Sequence, residues 1–499
     1  GTGMRAADAV EAQAFTRFFD LPEDGGHRYV GSVKANLGHL LAGAGMPGLI
    51  KILLSFKHRQ IPPTPLSDRP RSGLGLRSAG LVVNQELVQW EGPARLRAGI
   101  SGCGFGGTNA HIILEAPPEP APSDGSPRSS SLWMITARTE TALRQTAAAL
   151  ANRVQTTPLR GWSDLCFSAS TARAPFAWRA ALVGDDDLPG RLLALARGES
   201  RDSTWQGTTA GHQRPRVAFV FPDVGHVAQG QQLCRAEPAL LRQYDNVISA
   251  WPHGPETQNP GAYAQELAFQ VALARLVTAW GVQPEAVFGY GLGELAAACV
   301  AGSLPNVAAL GLAQYREGLT ASPEAKAQAT EAAAPTECTG PRIPWLSAVS
   351  GDWVGNQGLD ASHWRLWLAE HCDGSAAIDR LTADHQFNLL LVIGQAGELE
   401  SRLCTASNVA PDHPFTIESL LPAGRAGLHG LYGAVGRIWV RGVPIDRRAI
   451  EKEWSSRRVP VPSYPFERPS FWVEAVTGAE AAVLDKQVPG IDEWFHEVV

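Results

Sequence analysis

Short apolar runs alternate with amphipathic segments along most of this chain. Residues 286–288 are apolar and end at Gly289, a pattern that predicts a buried strand running into a sharp turn. Residues 294–300 are rich in Ala and Leu, which favours a helix. A further strand is predicted at 131–136, and apolar residues recur at helical spacing over 143–154.

The predicted strand and helix around residue 291 are joined by a Gly-x-x-x-Gly turn, Gly-Tyr-Gly-Leu-Gly. This is the geometry of a nucleophile elbow, in which the glycines allow close backbone packing and the middle residue projects at the helix N-terminus. The middle residue is Gly291, which has no side chain to attack a thioester or carry an acyl group. The turn pattern alone leaves two interpretations open: a nucleophile elbow that has lost its nucleophile, or an ordinary glycine-rich turn.

The bulk composition is that of a globular protein with room for several domains. The 499 residues are 44% apolar and 18% charged, and such a length suffices for three or four domains. A net charge of −6 argues against a nucleic-acid partner, which would require a basic surface. No apolar run is long enough for a membrane span and no signal peptide is recognisable, so we expect no membrane partner.

The seven cysteines are scattered and form no Cys-x-x-Cys pair. This spacing predicts neither a metal site nor a redox motif. An odd number of cysteines in a long chain favours free thiols in a reducing compartment. We therefore expect a cytoplasmic protein without a bound metal.

The sequence around the glycine turn resembles a known enzyme family. Residues 284–302, PEAVFGYGLGELAAACVAG, resemble the active-site segment of malonyl-type acyltransferase domains in modular type I polyketide synthases, usually written GHSxGE. Tyr290 stands where that family has His, and Gly291 stands where it has the catalytic Ser. The resemblance implies a degenerate acyltransferase in which these two positions are vestiges of the active site.

A second motif of the same family is also altered. Residues 216–230, RVAFVFPDVGHVAQG, resemble its FVFPGQGSQ segment, whose Gln supplies a backbone amide to the oxyanion hole. Here Asp223 and Val224 replace Gly and Gln. A carboxylate at Asp223 would lie next to the developing negative oxygen and oppose its stabilisation. We regard Asp223 as a second inactivating change, independent of Gly291.

Arg316 falls at the spacing where the family's arginine grips the carboxylate of the extender unit. With the nucleophile gone, we favour a solvated helix arginine instead. Only residues 317–342 separate it from the next apolar segment, too few for the ferredoxin-like subdomain that the family inserts there. These residues include no His, so the general base of the family is absent too.

The first 120 residues resemble the C-terminal half of a ketosynthase. Residues 1–15 are similar to the motif HGTGTxxGDPIEAQAL, whose histidine would precede this chain. The string SVKANLGH at 32–39 matches the second histidine motif and places Lys34 and His39 as the candidate catalytic residues. A helix N-terminus, which we expect just after His39, disfavours an imidazolium. The resemblance implies that neutral His39 donates a hydrogen bond to a thioester carbonyl during malonyl decarboxylation.

Residues 100–114, ISGCGFGGTNAHIIL, resemble the glycine-rich SSFGFGGTNAH loop of the same family. The resemblance implies an acyl-chain gate at Phe105, with Gly106 and Gly107 completing the substrate loop. We interpret Cys103 as a packing residue, because the family's acylated cysteine belongs to a motif in the N-terminal half.

The resemblance covers nearly the whole chain and implies five regions. They are the ketosynthase half (1–120), a tether and linker (121–214), a degenerate acyltransferase (215–430), a post-acyltransferase linker (431–475) and a tail toward the next domain (476–499). The implied fold class is a multidomain α/β chain. It combines half of a thiolase-like fold, a small α+β linker, and a hydrolase-like acyltransferase core without its ferredoxin-like subdomain.

Two functional hypotheses follow. In the first, the chain is part of a polyketide synthase that contributes to decarboxylative Claisen condensation, with an inactive acyltransferase. Its substrates would be phosphopantetheine-linked acyl and malonyl groups on an acyl carrier protein, with no directly bound cofactor. Its partners would also include the N-terminal ketosynthase half and a second copy in a homodimer, and the isolated chain would be inactive. In the second, it is a non-catalytic docking scaffold for a carrier protein or a trans-acting acyltransferase, with carrier binding that Gly291→Ser leaves unchanged.

Overall fold

The computed structural model describes residues 5–469, apart from 20–26, 66–73, 92–94, 105, 119–129, 185–186, 224–226, 252–259, 322–337, 370–373, 384–386, 396, 410–414, 426 and 455. The chain divides into two compact units, Gly1–Pro122 and Ser123–Val499. The finer boundaries implied by the resemblance stay a prediction.

The first unit consists of helices and short strands. The helices are Arg5–Phe18 (α1), Lys34–Leu37 (α2) and Gly45–His58 (α3). The strands are Arg28–Val30 (β1), Gln60–Ile61 (β2), Leu81–Val83 (β3), Val88–Gln89 (β4), Arg97–Cys103 (β5) and Asn109–Glu115 (β6). β1 pairs with β3, β2 with β4, and β5 with β6, in separate two-stranded sheets.

Two elements of the first unit leave apolar side chains exposed. On β6, Ile112 and Ile113 are 51% and 74% exposed, and on α3, Ile50 and Leu53 are 54% and 51% exposed. α3 lies against β5, where Gly48 is so close to Ile100 that a Cβ would lie 2.8 Å from its Cδ1. The unit therefore presents several apolar side chains, on α3 and on both faces of β6, that its own described residues do not cover.

The second unit begins with a three-stranded antiparallel sheet in the order β7-β8-β9. Its strands are Ser131–Ala137 (β7), Trp178–Gly184 (β8) and Thr204–Thr208 (β9), and its helices are Glu140–Gln155 (α4), Trp162–Thr171 (α5) and Leu188–Arg197 (α6). Along β7, Trp133 and Ile135 pack in one apolar cluster and Leu132 and Met134 in another. Because successive strand residues point to opposite faces, a strand covered on both sides is apolar throughout.

A parallel sheet forms the centre of the second unit. Its described strands are Val217–Phe221 (β10), Ala286–Gly289 (β11), Trp345–Ser347 (β12), Leu389–Val392 (β13) and Thr416–Ser419 (β14), in the order β12-β11-β10-β13-β14. The surrounding helices are Val227–Ala236 (α7), Pro238–Ile248 (α8), Ala262–Ala279 (α9), Gly293–Ala301 (α10), Asn306–Ala321 (α11), Ala361–Ala369 (α12), Ser375–Ala383 (α13), Gly397–Val409 (α14), Gly427–Val440 (α15) and Arg447–Glu451 (α16).

The parallel sheet is buried on both faces. Phe219 and Phe221 join the apolar cluster of α9 and α10, whereas Ala218 and Val220 join that of α13 and α14. In such a sheet the crevice for a ligand forms at the carboxyl ends of the strands. The neighbouring strands β10, β11 and β12 bring their carboxyl ends together there, and the glycine turn after β11 lies at this edge.

The segment 456–469 returns to the antiparallel sheet and its helices. The N–H of Arg457 donates to Asp164 Oδ1 at 2.8 Å, and the N–H of Arg138 donates to the Tyr464 hydroxyl at 3.0 Å. Tyr464 therefore anchors this segment to the sheet. Phe466 is 72% exposed, and among the described aromatic rings its ring contacts that of Tyr464, edge to face.

Candidate functional site

The glycine turn after β11 has the backbone of an elbow. A Cβ added to Gly289 would lie 2.1 Å from the carbonyl O of Gly293, and one added to Gly293 would lie 2.2 Å from that of Phe221. Only glycine fits these two close approaches. Gly291 has φ +60°, in the left-handed region. The backbone therefore has the strained strand-to-helix conformation that the sequence predicts.

The Asp223 carboxylate fills the space that a side chain at position 291 would need. A Cβ on Gly291 would lie 2.3 Å from Asp223 Cγ and 2.5 Å from each carboxylate oxygen. Asp223 Oδ1 also accepts the N–H of Leu292 at 2.8 Å. In hydrolase elbows the amide after the nucleophile is an oxyanion donor. Here that amide is bound to a carboxylate of the same chain.

The loop that carries Asp223 is hydrogen-bonded to a side chain of α9. Gln270 is fully buried, and its Nε2 donates to the carbonyl oxygens of Pro222 at 3.0 Å and Asp223 at 3.3 Å. The same amide group donates to Glu266 Oε1 at 3.1 Å. These hydrogen bonds pair the carbonyl oxygens of Pro222 and Asp223 and tie the end of β10 to α9.

Arg316 is half-buried and stacks on Trp367 beside the elbow, a contact that the sequence did not predict. Its guanidinium carbon lies 4.4 Å from the centre of the Trp367 ring. Trp367 is buried, and its Nε1 donates to the carbonyl O of Gly291 at 2.9 Å. A guanidinium over an indole gains cation–π attraction. Sequence reasoning missed this stack because it could not place α11 against α12.

Tyr290 lies on the other side of the sheet edge from the Arg316–Trp367 stack. Its N–H donates to the carbonyl O of Phe221 at 2.9 Å, and its ring packs against the cluster of α13 and α14. The Arg402 guanidinium lies 5.2 Å from the ring centre. The elbow thus has an aromatic cation–π contact on each side.

A buried polar cluster at the start of α10 was missed by sequence reasoning. The fully buried Glu294 carboxylate accepts the Ser347 hydroxyl and the N–H of Ala348, the latter at 3.0 Å. The His363 Nε2 atom lies 3.4 Å from Glu294 Oε1. The cluster connects the start of α10, which follows the elbow, to β12 and α12. The available signal was a lone acidic residue in an apolar helix, since such a group is buried only when it is paired.

In the first unit, His39 is exposed and lies in the loop after α2, which starts at Lys34. The His39 Nδ1 accepts the N–H of Leu41 at 2.9 Å. This bond leaves Nε2 as the ring nitrogen that can donate. A 3₁₀ turn, Leu41–Gly43, separates His39 from α3, so the histidine does not cap that helix as we expected.

The substrate loop predicted from the resemblance is the tip of the β5–β6 hairpin. Gly107 has φ +82°, and its N–H donates to the carbonyl O of Gly104 at 3.2 Å. Gly106 is exposed beside it. Phe105 lies outside the described residues, as does Val224 of the vestigial acyltransferase site. Cys103 is exposed rather than the buried packing residue we predicted.

The described residues show no metal-binding arrangement. No group of three or more His, Cys, Asp or Glu side chains within this part of the chain could hold a metal ion. None of the six cysteines that the structure describes forms a disulfide. Within the same residues, no helix combines the length and apolar character required to cross a membrane.

Two family models match the N-terminal part of the chain. A model of the beta-ketoacyl synthase C-terminal domain matches residues 1–67, and one of the ketoacyl-synthetase C-terminal extension matches residues 70–183. Polyketide synthase GfsB of Streptomyces halstedii is 29% identical over 96% of this chain. The chain belongs to the modular polyketide synthases. The sequence-based assignment of the family is thereby confirmed.

Other polyketide synthases match over the same extent. The spectinabilin polyketide synthase system protein NorC of Streptomyces orinoci is 30% identical over 95% of this chain, and the mycoketide-CoA synthase of Mycobacterium tuberculosis is 28% identical over 97%. The chain spans 10% of GfsB, 22% of NorC and 14% of the mycoketide-CoA synthase.

The fold of the second unit is that of polyketide synthase acyltransferase domains. The acyltransferase domain of ZmaA superposes with a TM-score of 0.57 at 18% identity, covering 68% of this chain and 100% of that domain. The acyltransferase domain from module 8 of the salinomycin polyketide synthase gives 0.51 at 19%, covering 64% and 98%. With the ketosynthase match, these confirm a thiolase-like half followed by an acyltransferase-type core.

In this polyketide synthase chain, the structure brings Tyr290, Gly291 and Arg316 together at the elbow. Lys34 and His39 lie in the other unit, together with the glycine loop. The roles of all these residues stay predictions. Asp223 is the residue that changes the interpretation most, because its carboxylate occupies the position where an acyltransferase would act.

Proposed function

We propose that this chain is a polyketide synthase segment whose acyltransferase-like region no longer transfers acyl groups. The observation that carries the proposal is the Asp223 carboxylate, which takes both the Leu292 amide and the volume above Gly291. Removing one oxyanion donor from a working enzyme costs about 2.7–4 kcal/mol of transition-state stabilisation. Here the donor is occupied by a negative charge, so an approaching carbonyl oxygen meets repulsion as well.

The loss of nucleophile and the loss of the oxyanion site reinforce each other. Gly291 offers no oxygen for an acyl group. A serine introduced there would place its Cβ 2.3 Å from Asp223 Cγ, so it could not adopt the elbow conformation while that carboxylate stays in place. We therefore expect Gly291→Ser alone to restore no transfer.

The test is incubation of the full chain with malonyl-CoA, followed by intact-mass and peptide mass spectrometry. We expect no adduct within residues 215–430 for the natural chain or for Gly291→Ser. An active acyltransferase domain from a related synthase is the positive control. A malonyl adduct in that range on the natural chain would refute the proposal.

We further propose that the ketosynthase half serves decarboxylative condensation when its N-terminal half is present. The exposed apolar groups of α3 and β6, among them Ile50, Leu53 and Ile113, support a complementary half that covers them. His39 supports the same role, because its free Nε2 can donate to a thioester carbonyl. Substrates would be phosphopantetheine-linked groups on an acyl carrier protein, in a homodimer within the cytoplasm.

This part of the proposal is tested in the intact synthase with carrier-bound malonyl and acyl groups. His39→Ala should lower CO₂ release by about 10²–10⁴-fold, the usual contribution of such a group. His58→Ala is the matched control, because His58 is an exposed histidine at the end of α3. Equal rates for the two variants would contradict the role of His39.

A further inference from the structure

One edge of the antiparallel sheet in the second unit carries unpaired main-chain groups. β9 is the edge strand of the β7-β8-β9 sheet. The N–H of Val183 donates to Ser203 O at 3.1 Å, and the N–H of Thr209 donates to Ala177 O at 2.9 Å. Because antiparallel pairs alternate, odd-numbered residues from 203 to 209 bond to β8. The even-numbered residues direct their main-chain groups away from it: Thr204, Gln206 and Thr208.

These outward groups are open to a partner. Among the described residues, none bonds to the main-chain N–H or C=O of Gln206 or Thr208. A cavity of about 620 Å³ runs along this edge and is lined by all five residues of β9. Exposed strand edges are normally covered or blocked, because they template pairing with another chain. Here an unpaired edge faces a ready-made cavity instead.

The lining of the cavity also includes two arginine side chains. Arg437 and Arg441 line it, and they share the single carboxylate of Glu418, at 2.7 Å from Arg437 Nε and 2.9 Å from Arg441 Nη1. The Arg437 guanidinium is also stacked 5.2 Å from the centre of the Trp205 ring. Each guanidinium has five N–H donors, so among the described residues the two ion pairs to Glu418 leave donors unused and one positive charge in excess. The acidic residue of the lining itself, Glu199, is engaged by Arg197.

We propose that the β9 edge is a docking site for an extended, acidic peptide segment of a partner protein, which adds as a fourth strand. Main-chain hydrogen bonds to Gln206 and Thr208 would supply affinity, and a carboxylate facing Arg441 would supply selectivity. At about 3.4 Å per residue, β9 offers a docking length of about 17 Å. The cavity is lined by the first residues of β13 and β14, Leu389 and Thr416, at the opposite end of these strands from the elbow. The proposal is therefore independent of any acyl transfer.

Gln206 provides a matched pair of variants. Gln206→Pro removes an outward N–H and no bond to β8, and edge strands tolerate proline at such positions. Gln206→Thr changes the side chain and keeps the N–H. Equal circular dichroism spectra and melting temperatures for the two variants would establish that both are folded.

The binding probe is a fluorescein-labelled peptide of alternating Glu and Val, measured by fluorescence anisotropy with the full chain. The same peptide with Lys in place of Glu is the charge control. We expect saturable binding of the acidic peptide alone, about tenfold weaker binding to Gln206→Pro, and unchanged binding to Gln206→Thr. Arg441→Gln should weaken binding severalfold. Equal binding by Gln206→Pro, or by the Lys peptide, overturns the proposal.

If Gln206→Pro does not fold, hydrogen exchange of the natural chain tests the same proposal. In the natural chain, the peptic fragment over residues 204–209 should gain protection when the acidic peptide is added. Free glutamate at matched carboxylate concentration should give no protection. Protection by glutamate alone would identify a small-anion site, and absence of protection with the peptide would exclude strand addition; either result refutes the proposal.

Discussion

The mutual exclusion of Asp223 and a side chain at position 291 can be measured as a coupling energy. Gly291→Ala forces a non-glycine residue to φ +60°, which costs about 1–2 kcal/mol. The new Cβ would lie 2.3 Å from Asp223 Cγ, so the carboxylate must leave the Leu292 amide. Loss of a hydrogen bond to a charged group costs about 1.5–3 kcal/mol. The expected total is about 2.5–5 kcal/mol.

Gly302→Ala is the matched control for backbone strain. Gly302 has φ +78° at the other end of α10, and its added Cβ would meet only the flexible Arg342 side chain, at 3.3 Å. We expect a loss of about 1–2 kcal/mol there. In an Asp223→Ala background, Gly291→Ala should cost the same small amount, since the carboxylate is gone. The double-mutant cycle should then give about 1.5–3 kcal/mol of coupling.

The assay is urea unfolding of the full chain followed by tryptophan fluorescence, with hydrogen exchange over residues 289–301 to assign the loss to the elbow. Multidomain chains do not unfold in two states, so the local exchange measurement carries the comparison. Equal losses for Gly291→Ala and Gly302→Ala, or additive effects in the cycle, would refute the steric and electrostatic role of Asp223.

Three further outcomes follow from the structure. Glu294→Leu should destabilise the second unit by about 2–5 kcal/mol in urea unfolding, because it leaves the Ser347 hydroxyl and a buried amide unpaired; retention of stability would contradict that role. Tyr464→Ala should release the returning segment and expose it to limited proteolysis, with the exposed Phe466→Ala as the unaffected control. Burial raises the pKa of the Cys234 thiol to about 11 and that of Cys299 to about 12, so at pH 8 both stay protonated and unlabelled by iodoacetamide. Exposed Cys103 and Cys404 should react before either of them, and rapid labelling of Cys299 in the native chain would contradict its burial.

Motifs and short-range patterns predicted the parts of the site that are encoded locally. The strand before Gly289, the sharp turn and the helix after it all follow from spacing within a few residues. The resemblance also placed Asp223 near the oxyanion position from its place in a motif, and the hydrogen bond to Leu292 agrees with that.

Contacts between distant elements were beyond the reach of sequence patterns. The stack of Arg316 on Trp367 was not predicted, because the two residues lie on different helices. The Glu294 cluster likewise joins residues from three elements, including Ser347 and His363. No periodicity along one segment encodes which elements meet across a sheet edge.

The sequence by itself determined that this chain has a polyketide synthase scaffold with an elbow that carries no nucleophile. That conclusion needs only the identity and spacing of residues, because glycine lacks a side chain in every conformation. Only the tertiary structure decided that the Asp223 carboxylate occupies the space beside Gly291 and that β9, the edge of its described sheet, lines one cavity with Arg437 and Arg441. Both facts depend on distances between segments far apart in the chain, which packing sets and local pattern does not.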